Sequence, residues 1–224
     1  MTLIAEDLLL LLLDDESGAF SGTSYPQPLF GGAVLIELAI SGAVEVEEKQ
    51  SVWRSTKVHP TGRLPGDPLL RTSYDVVAEK PRSAQDLVNR LGKGLRDQLA
   101  DRLVERGILQ REESKVLGLF PRTRWPTVDS QHEEEARDRL TAALVRGDEP
   151  DERTGALIAL LSAIDRAHQV VDHEGLPTKE VRKRAKAIAE GAWAAKAVRD
   201  AINASTAAIT AATTAATTAA VVSS

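Results

Sequence analysis

Apolar residues near the start of the chain cover whole helical turns rather than a single stripe. The run from Leu3 to Leu13 is apolar at nearly every position, which predicts a helix buried on all sides, with Thr2 as its cap. A second apolar helix is predicted over residues 32–41, and Gly42 ends it because glycine commonly terminates helices. Both helices are therefore expected in the core.

Leucine recurs every fourth residue in the middle of the chain. This spacing places the leucines on one face of a helix, so residues 83–106 are predicted to form a single amphipathic helix that ends at Gly107. The leucines of this face are Leu87, Leu91, Leu95, Leu99 and Leu103.

The rest of the pattern alternates helices with short strands. Strands are predicted at residues 43–47, 52–58, 108–111 and 116–120. Helices are predicted at residues 130–146, 151–171, 178–190 and from residue 192 onward. The chain is thus expected to be a mainly α protein with small β-hairpins. It is predicted to form one domain over residues 1–210, followed by an Ala/Thr-rich tail over residues 211–224.

The composition narrows the classes of function. The absence of cysteine excludes disulfides and thiolate metal sites and fits the cytoplasm. The net charge is -5, whereas a protein that neutralises nucleic-acid phosphates is usually basic, so no nucleic-acid partner is expected. A helix–strand echo at residues 37–47 and 102–112 resembles a winged helix and is the one feature that favours nucleic acid. No secretory signal is expected, because acidic residues follow the first apolar run at once.

No arrangement of residues indicates catalysis or a cofactor. The sequence has no nucleotide-binding or hydrolase motif, and its acidic pairs fall in predicted turns or on solvated helix faces. His168 and His173 are five residues apart, a spacing that does not place both rings on one face of a helix. The chain is therefore predicted not to be an enzyme and to use no metal or cofactor.

A pair of cations on the leucine helix is a candidate for binding an anion. Lys93 and Arg96 are three residues apart, so on a continuous helix they share a face away from the leucines. Arginine binds phosphate through its planar fork and lysine as a point charge. The alternative is a solvated face on which Arg96 pairs with Asp97 or Asp101.

A second candidate is the segment from Val116 to Trp125, which joins apolar residues to cations. A projecting hairpin of this composition suits a membrane interface, where aromatic residues enter the headgroup region and arginine contacts anionic lipid. The alternative is a hairpin folded back on its own core. The residues predicted to contact a bilayer or another copy of the chain are Leu117, Leu119, Phe120, Arg122, Arg124 and Trp125.

Three segments resemble the Golgi phosphoprotein 3 family. They are residues 2–11 (TLIAEDLLLL), residues 35–40 (LIELAI, followed by a glycine and a predicted strand) and residues 96–109 (RDQLADRLVERGIL). They occur in the order and at the spacing of the family. The resemblance implies a helical core ringed by amphipathic helices, with a projecting hairpin.

The resemblance also implies a function. Eukaryotic members are peripheral membrane proteins that bind phosphatidylinositol 4-phosphate in a basic pocket and retain glycosyltransferases as adaptors. The composition resembles that of bacterial, notably actinobacterial, members. We therefore expect a cytoplasmic adaptor-like protein, peripheral on the inner face of the membrane, that binds anionic phospholipid headgroups. The alternative is a soluble, self-associating scaffold that has lost phosphoinositide binding.

The residues of the family's headgroup pocket are only partly kept. Two arginines of the family's long helix fall on Lys93 and Arg96, which are thus the predicted headgroup contacts. The pocket tryptophan falls near Gly22 or Thr23 and the pocket arginine falls on Gly31, so both are absent. The hairpin is implied to contact the membrane and to form a homo-oligomer.

Overall fold

The computed structural model describes residues 2–14, 17–24, 26–47, 56–116, 120–191 and 196–222. Within these residues the chain forms nine α-helices and five short strands. In chain order they are α1 (Ile4–Leu12), α2 (Pro26–Ile40), β1 (Val44–Val46), β2 (Lys57–Pro60), α3 (Pro68–Ala78), β3 (Arg82–Ser83), α4 (Ala84–Leu91), α5 (Leu95–Glu105), β4 (Glu112–Val116), β5 (Phe120–Arg124), α6 (Gln131–Thr141), α7 (Glu152–Ala163), α8 (Thr178–Ala189) and α9 (Lys196–Val222). The prediction of a mainly α protein with small β-hairpins is confirmed.

The helix α2 lies at the centre of the fold because small and apolar residues occupy all of its faces. Its residues 28–39 are buried, and it packs against α1, α4, α7 and α9. Every residue of α1 is buried too, the apolar residues as predicted and with them the carboxylates Glu6 and Asp7. Each leucine buried in this way stabilises the fold by about 1.5–3 kcal/mol relative to an exposed one. The two N-terminal helices therefore supply much of the core.

The start of each N-terminal helix differs from the prediction. The cap of α1 is Leu3, whereas the hydroxyl of Thr2 donates a hydrogen bond to the Asp7 carboxylate. The helix α2 begins at Pro26, upstream of the predicted start, because proline is favoured in a first turn, where a missing N–H costs nothing. Its end matches the prediction, since Gly42 has a φ of 69° and reverses the chain.

The predicted leucine helix is interrupted. It forms two helices, α4 and α5, separated by the turn Gly92–Gly94, in which Gly94 has a φ of 68°. The end of α5 agrees with the prediction. Gly107 has a φ of 73°, and the following N–H, of Ile108, donates to the carbonyl of Leu103 at 2.9 Å.

Two small antiparallel sheets flank the helices. The strands β1 and β2 pair with Val44 opposite Pro60, and β3 extends this sheet. The described part of the predicted return strand begins at residue 56, since residues 48–55 lie outside the described residues. No strand forms at residues 108–111, where Leu109 makes a single bridge with Thr127. Of the predicted strand at 116–120, Val116 is the last residue of β4 and Phe120 is the first of β5, and residues 117–119 lie outside the described residues.

The C-terminal helices follow the predicted order with different ends. A π-helical turn, Ala142–Arg146, completes the helix that begins with α6. The helix α7 ends at Ala163, before the predicted end, because Asp165 takes a left-handed conformation with a φ of 54°. The N–H of Arg166 then donates to the Leu161 carbonyl at 2.8 Å, which closes the helix. The prediction for α8 is confirmed, and α9 continues to Val222.

A buried carboxylate on α1 joins helices that are distant in sequence. The Glu6 side chain is fully buried and accepts a hydrogen bond from the Leu3 N–H at 2.8 Å. It also accepts from Arg102 Nε at 3.0 Å and from Arg106 Nη1 at 3.1 Å. Arg102 in turn contacts Asp67, the cap of α3, at 2.8 Å. Two cations of α5 are thus bound to the interior of the protein.

Two further buried carboxylates extend this network. Glu37 accepts from the Ile4 N–H at 2.6 Å and forms an ion pair with Arg153. Asp7 accepts from Arg139 Nη2 at 3.3 Å. Burial raises the pKa of both carboxyl groups, and the neighbouring arginines only partly offset this effect. The network therefore ties α1 to α2, α6 and α7.

We predict that Asp67→Asn lowers the free energy of unfolding by about 1–2 kcal/mol at neutral pH, because asparagine still caps a helix but loses the ion pair with Arg102. Burial raises the pKa of Asp67, but hydrogen bonds from Arg102 and the Leu70 N–H outweigh it and hold the pKa below its ordinary 3.8. The wild type therefore loses this stability as the pH falls below about 3.8. Urea unfolding measures the difference in free energy of unfolding between the wild type and Asp67→Asn, which should be smaller at about pH 3 than at about pH 7. An equal difference at both pH values would contradict the prediction.

Candidate functional site

The two predicted headgroup contacts do not share a helix face. Lys93 lies in the turn between α4 and α5, where its side chain is exposed and its N–H donates to the Arg90 carbonyl at 3.3 Å. Arg96 is the second residue of α5. The prediction of a continuous helix at this point is wrong, and the two cations are instead presented by a turn and the helix start that follows it.

The turn is imposed by a backbone contact between α2 and α4. A Cβ atom on Gly31 would lie 1.9 Å from the carbonyl oxygen of Val88, and one on Gly92 would lie 1.7 Å from that of Gln27. Real Cβ atoms do not approach other atoms so closely, so neither position accepts a side chain. The Gln27 amide also donates to the Asn89 carbonyl at 2.6 Å, which holds the two helices together.

A cleft of about 390 Å³ opens beside this contact. The start of α2 forms one wall, and the α4–α5 turn with the first residues of α5 forms the other. Gly94 is the N-cap of α5, and the first turn of this helix has no side-chain cap among the described residues. The unsatisfied N–H groups of a helix start carry a partial positive charge and favour an anion. Residues that line the cleft include Pro26, Gln27, Asn89, Gly94, Arg96 and Asp97.

Arg96 is held in place at the edge of the cleft. Its Nε and Nη2 atoms donate to one carboxylate oxygen of Asp97 at 3.1 and 3.0 Å. Its Cζ atom lies 5.5 Å from the centre of the Trp125 ring and 5.9 Å from that of Phe20. Cation–π contacts of this kind contribute about 0.5–1 kcal/mol at exposed sites. Part of the guanidinium is therefore committed before any ligand binds.

A family model described as Golgi phosphoprotein 3 matches residues 4–205. The chain belongs to the Golgi phosphoprotein 3 family. The match runs from α1 into α9 and includes the contact between α2 and α4 as well as most of the cleft beside it. A comparison with curated proteins finds no match.

The Golgi phosphoprotein 3 resemblance implies a pocket arginine at Gly31 and a pocket tryptophan near Gly22 or Thr23, and the two glycine positions have no room for a large side chain. An arginine at Gly31 has no room, since even a Cβ atom would overlap the Val88 carbonyl. A Cβ atom on Gly22 would lie 2.8 Å from both the Phe20 ring and a Leu12 methyl group. The α4 backbone at Gly31 and the side chains of Phe20 and Leu12 at Gly22 therefore take the space that a larger pocket residue needs.

Phe20 is, with Tyr25, an aromatic residue of the sequence that could replace the absent pocket tryptophan, although no sequence pattern singles it out. Its ring faces Arg96 and lies 5.8 Å from the Phe30 ring in a tilted arrangement. The ring thus links the cation at the cleft to the central helix α2. The only signal in the sequence is the scarcity of aromatic residues, which form 4% of this family member and so indicate that each one has a specific packing role.

Trp125 is not an exposed hairpin residue, contrary to the prediction. It is 7% exposed, and its backbone N–H donates to the Gly18 carbonyl at 3.0 Å. A Cβ atom on Gly18 would lie 2.5 Å from the backbone of Pro126, so the loop before α2 packs directly on this segment. Trp125 therefore supports Arg96 from inside the protein and does not contact a bilayer in this conformation.

The other predicted hairpin residues are only partly described. Arg124 is half-buried and lies opposite Glu112 in the register of β4 and β5. Phe120 and Arg122 belong to β5, and their backbones pair with residues of β4. Leu117 and Leu119 lie outside the described residues.

The described residues form neither a metal cluster nor a helix that could span a membrane. His173 Nε2 lies 2.6 Å from the carbonyl oxygen of His168. Within the described residues, no group of three or more His, Asp or Glu side chains is arranged to hold a metal ion. None of the helices in the part of the chain that the structure describes has the length and apolarity to span a bilayer.

We predict that Gly92→Ala lowers the free energy of unfolding by about 1–3 kcal/mol, because the new Cβ atom overlaps the Gln27 carbonyl. The backbone of Gly92 is right-handed, with a φ of -79°, which alanine also adopts. The lost stability therefore reports the steric contact alone. The matched control is Gly66→Ala, where nothing lies within 4 Å of the new atom and a change within about 0.5 kcal/mol is expected. Equal urea midpoints for the two variants would contradict the close contact.

Proposed function

We propose that this family member is a non-catalytic, adaptor-like protein that docks peripherally on the inner face of the cytoplasmic membrane. In this proposal the cleft between α2 and the α4–α5 turn binds an anionic phospholipid headgroup. The observation that carries it is the start of α5, which has no side-chain cap and follows the turn with the exposed cation Lys93. Phosphatidylinositol 4-phosphate is the headgroup that the resemblance implies.

Three positive groups favour a phosphate at this position. The start of α5 is equivalent to roughly half an elementary charge. Lys93 adds a full charge on a flexible stem, and an exposed lysine near an anionic leaflet contributes about 1 kcal/mol. Arg96 binds Asp97 through Nε and Nη2, so its remaining N–H donors are open to a second acceptor. A phosphate can therefore bind Arg96 without breaking the pair with Asp97.

The Asp97 carboxylate limits the affinity. It lies at the same cleft as Arg96 and repels a phosphate, although the guanidinium between them reduces this effect. The chain as a whole carries a net charge of -5, so attraction to a membrane acts through this local region rather than through the whole surface. Docking is therefore expected to weaken at high salt, since exposed charges are screened over about 10 Å at 0.1 M ionic strength.

We predict that Lys93→Glu reduces binding to anionic liposomes by about tenfold or more at low salt, because it replaces an attraction with a repulsion. The measurement is co-sedimentation of the full chain with liposomes that contain phosphatidylinositol 4-phosphate, phosphatidylserine or phosphatidylcholine alone. The control is Lys179→Glu, an equal change of charge at an exposed position of α8.

The wild type and the control should sediment with both anionic liposomes and not with phosphatidylcholine alone. A preference for phosphatidylinositol 4-phosphate would support the narrower assignment. The proposal fails if the wild type stays in the supernatant with every liposome, or if the two lysine variants lose binding equally.

Self-association through the hairpin is a second candidate function. The observation that favours it is that β4 and β5 pair only with each other among the described residues, so both outer edges are open to another strand.

We predict that the wild type forms a concentration-dependent dimer in light scattering and that Phe120→Asp shifts it to the monomer. A wild type that is monomeric at every concentration would exclude this candidate.

A further inference from the structure

A second cleft, of about 410 Å³, lies between α7, α8 and α9 and shares no lining residue with the cleft beside α5. Its volume falls within the range of about 300–1,000 Å³ that is typical of small-molecule sites. Its polar lining residues include Ser162, His168 and Arg182. Its apolar lining includes the methyl groups of Ala159, Ala163, Ala185 and Ala189.

The contacts of His168 define which of its ring nitrogens carries the proton. Its Nε2 atom lies 3.2 Å from Nη2 of Arg182. A guanidinium group only donates, so Nε2 accepts and the proton of the neutral ring lies on Nδ1. Burial and the adjacent Arg182 lower the pKa of His168, which favours this neutral form.

The Nδ1–H donor has no hydrogen-bond acceptor among the described residues, although the side chain is only 9% exposed. The nearest carboxylate oxygen, of Asp165, is 3.7 Å away, which is too long for a hydrogen bond. The hydroxyl of Ser162 is buried in the same cleft and also lacks a described partner. Buried polar groups of this kind cost free energy unless an acceptor satisfies them, so two unsatisfied donors in one cleft indicate a ligand.

The charged residues that line the cleft favour an anion. Both oxygens of Asp165 accept from Arg182, at 3.1 and 2.9 Å, so this carboxylate offers no further attraction to a cation. Lys186 also lines the cleft and makes no ion pair within the described residues. Two cations therefore face one carboxylate that is already bound, and the balance is positive.

We propose that this cleft binds a small amphipathic carboxylate with a short unbranched alkyl chain. The carboxylate accepts from His168 Nδ1–H and from the Ser162 hydroxyl, with Lys186 and Arg182 nearby. The chain lies along the alanine methyl groups, whose small size leaves a narrow apolar slot. This inference does not rest on headgroup binding, because the two clefts have separate walls.

Isothermal titration calorimetry of the full chain tests the ligand class with three probes. Octanoate has both the charge and the chain and is expected to bind saturably. Octanol keeps the chain without the charge and should bind at least about tenfold more weakly, since a charge-assisted hydrogen bond is lost. Acetate keeps the charge without the chain and should show no binding. Non-saturating heats with octanoate, or equal affinities for octanoate and octanol, would overturn the proposal.

A matched pair of variants tests the place of binding. Ala189→Leu places a larger side chain in the lining of the cleft and is expected to weaken octanoate binding at least about tenfold. Ala187→Leu makes the same change at an exposed position of α8 and should bind like the wild type. Ser162→Ala removes one donor with little risk to folding and should weaken binding about threefold or more. Wild-type affinity in Ala189→Leu or in Ser162→Ala would overturn the site.

Discussion

The backbone contact between α2 and α4 is the constraint on which the candidate headgroup site depends. Gly31 and Gly92 have no side chains, so each glycine meets a carbonyl oxygen of the other helix directly. The contact ends α4 and forces the turn that carries Lys93 and starts α5. It also leaves no room for a side chain at Gly31, where the family resemblance implies an arginine. One steric constraint therefore both creates the cleft and reduces its positive charge.

The buried carboxylates decide which cations remain for binding. The residues Arg102 and Arg106 belong to the same basic series as Lys93 and Arg96, but both contact Glu6 inside the protein. Since removing one partner of a buried ion pair is strongly destabilising, these arginines serve the fold. Of these four cations, Arg96 lines the cleft and Lys93 is exposed on the turn beside it. Exposed charge beside α5 is limited, which is consistent with docking that is weak and sensitive to salt.

Residue patterns within single segments predicted those parts of the fold that depend on residues close together in the sequence. The nearly complete apolar run predicted the burial of α1, and Gly42 and Gly107 predicted helix ends through their left-handed backbone. The break at Gly92 was not predictable, since it depends on a residue of α2 that lies far away in sequence. The burial of Trp125 was missed for the same reason, because it requires the loop that contains Gly18. The site therefore combines a cation found by pattern with contacts that only the tertiary structure reveals.

Amide hydrogen exchange of the full chain, with and without vesicles that contain phosphatidylinositol 4-phosphate, tests the central claim most directly. If the uncapped start of α5 receives the headgroup, the amides of residues 92–98 should exchange more slowly when vesicles are present. The amides of α8, which lies away from this cleft, should be unchanged and serve as the internal control. Vesicle binding without protection of residues 92–98 would contradict the account, because the membrane would then be bound by another surface.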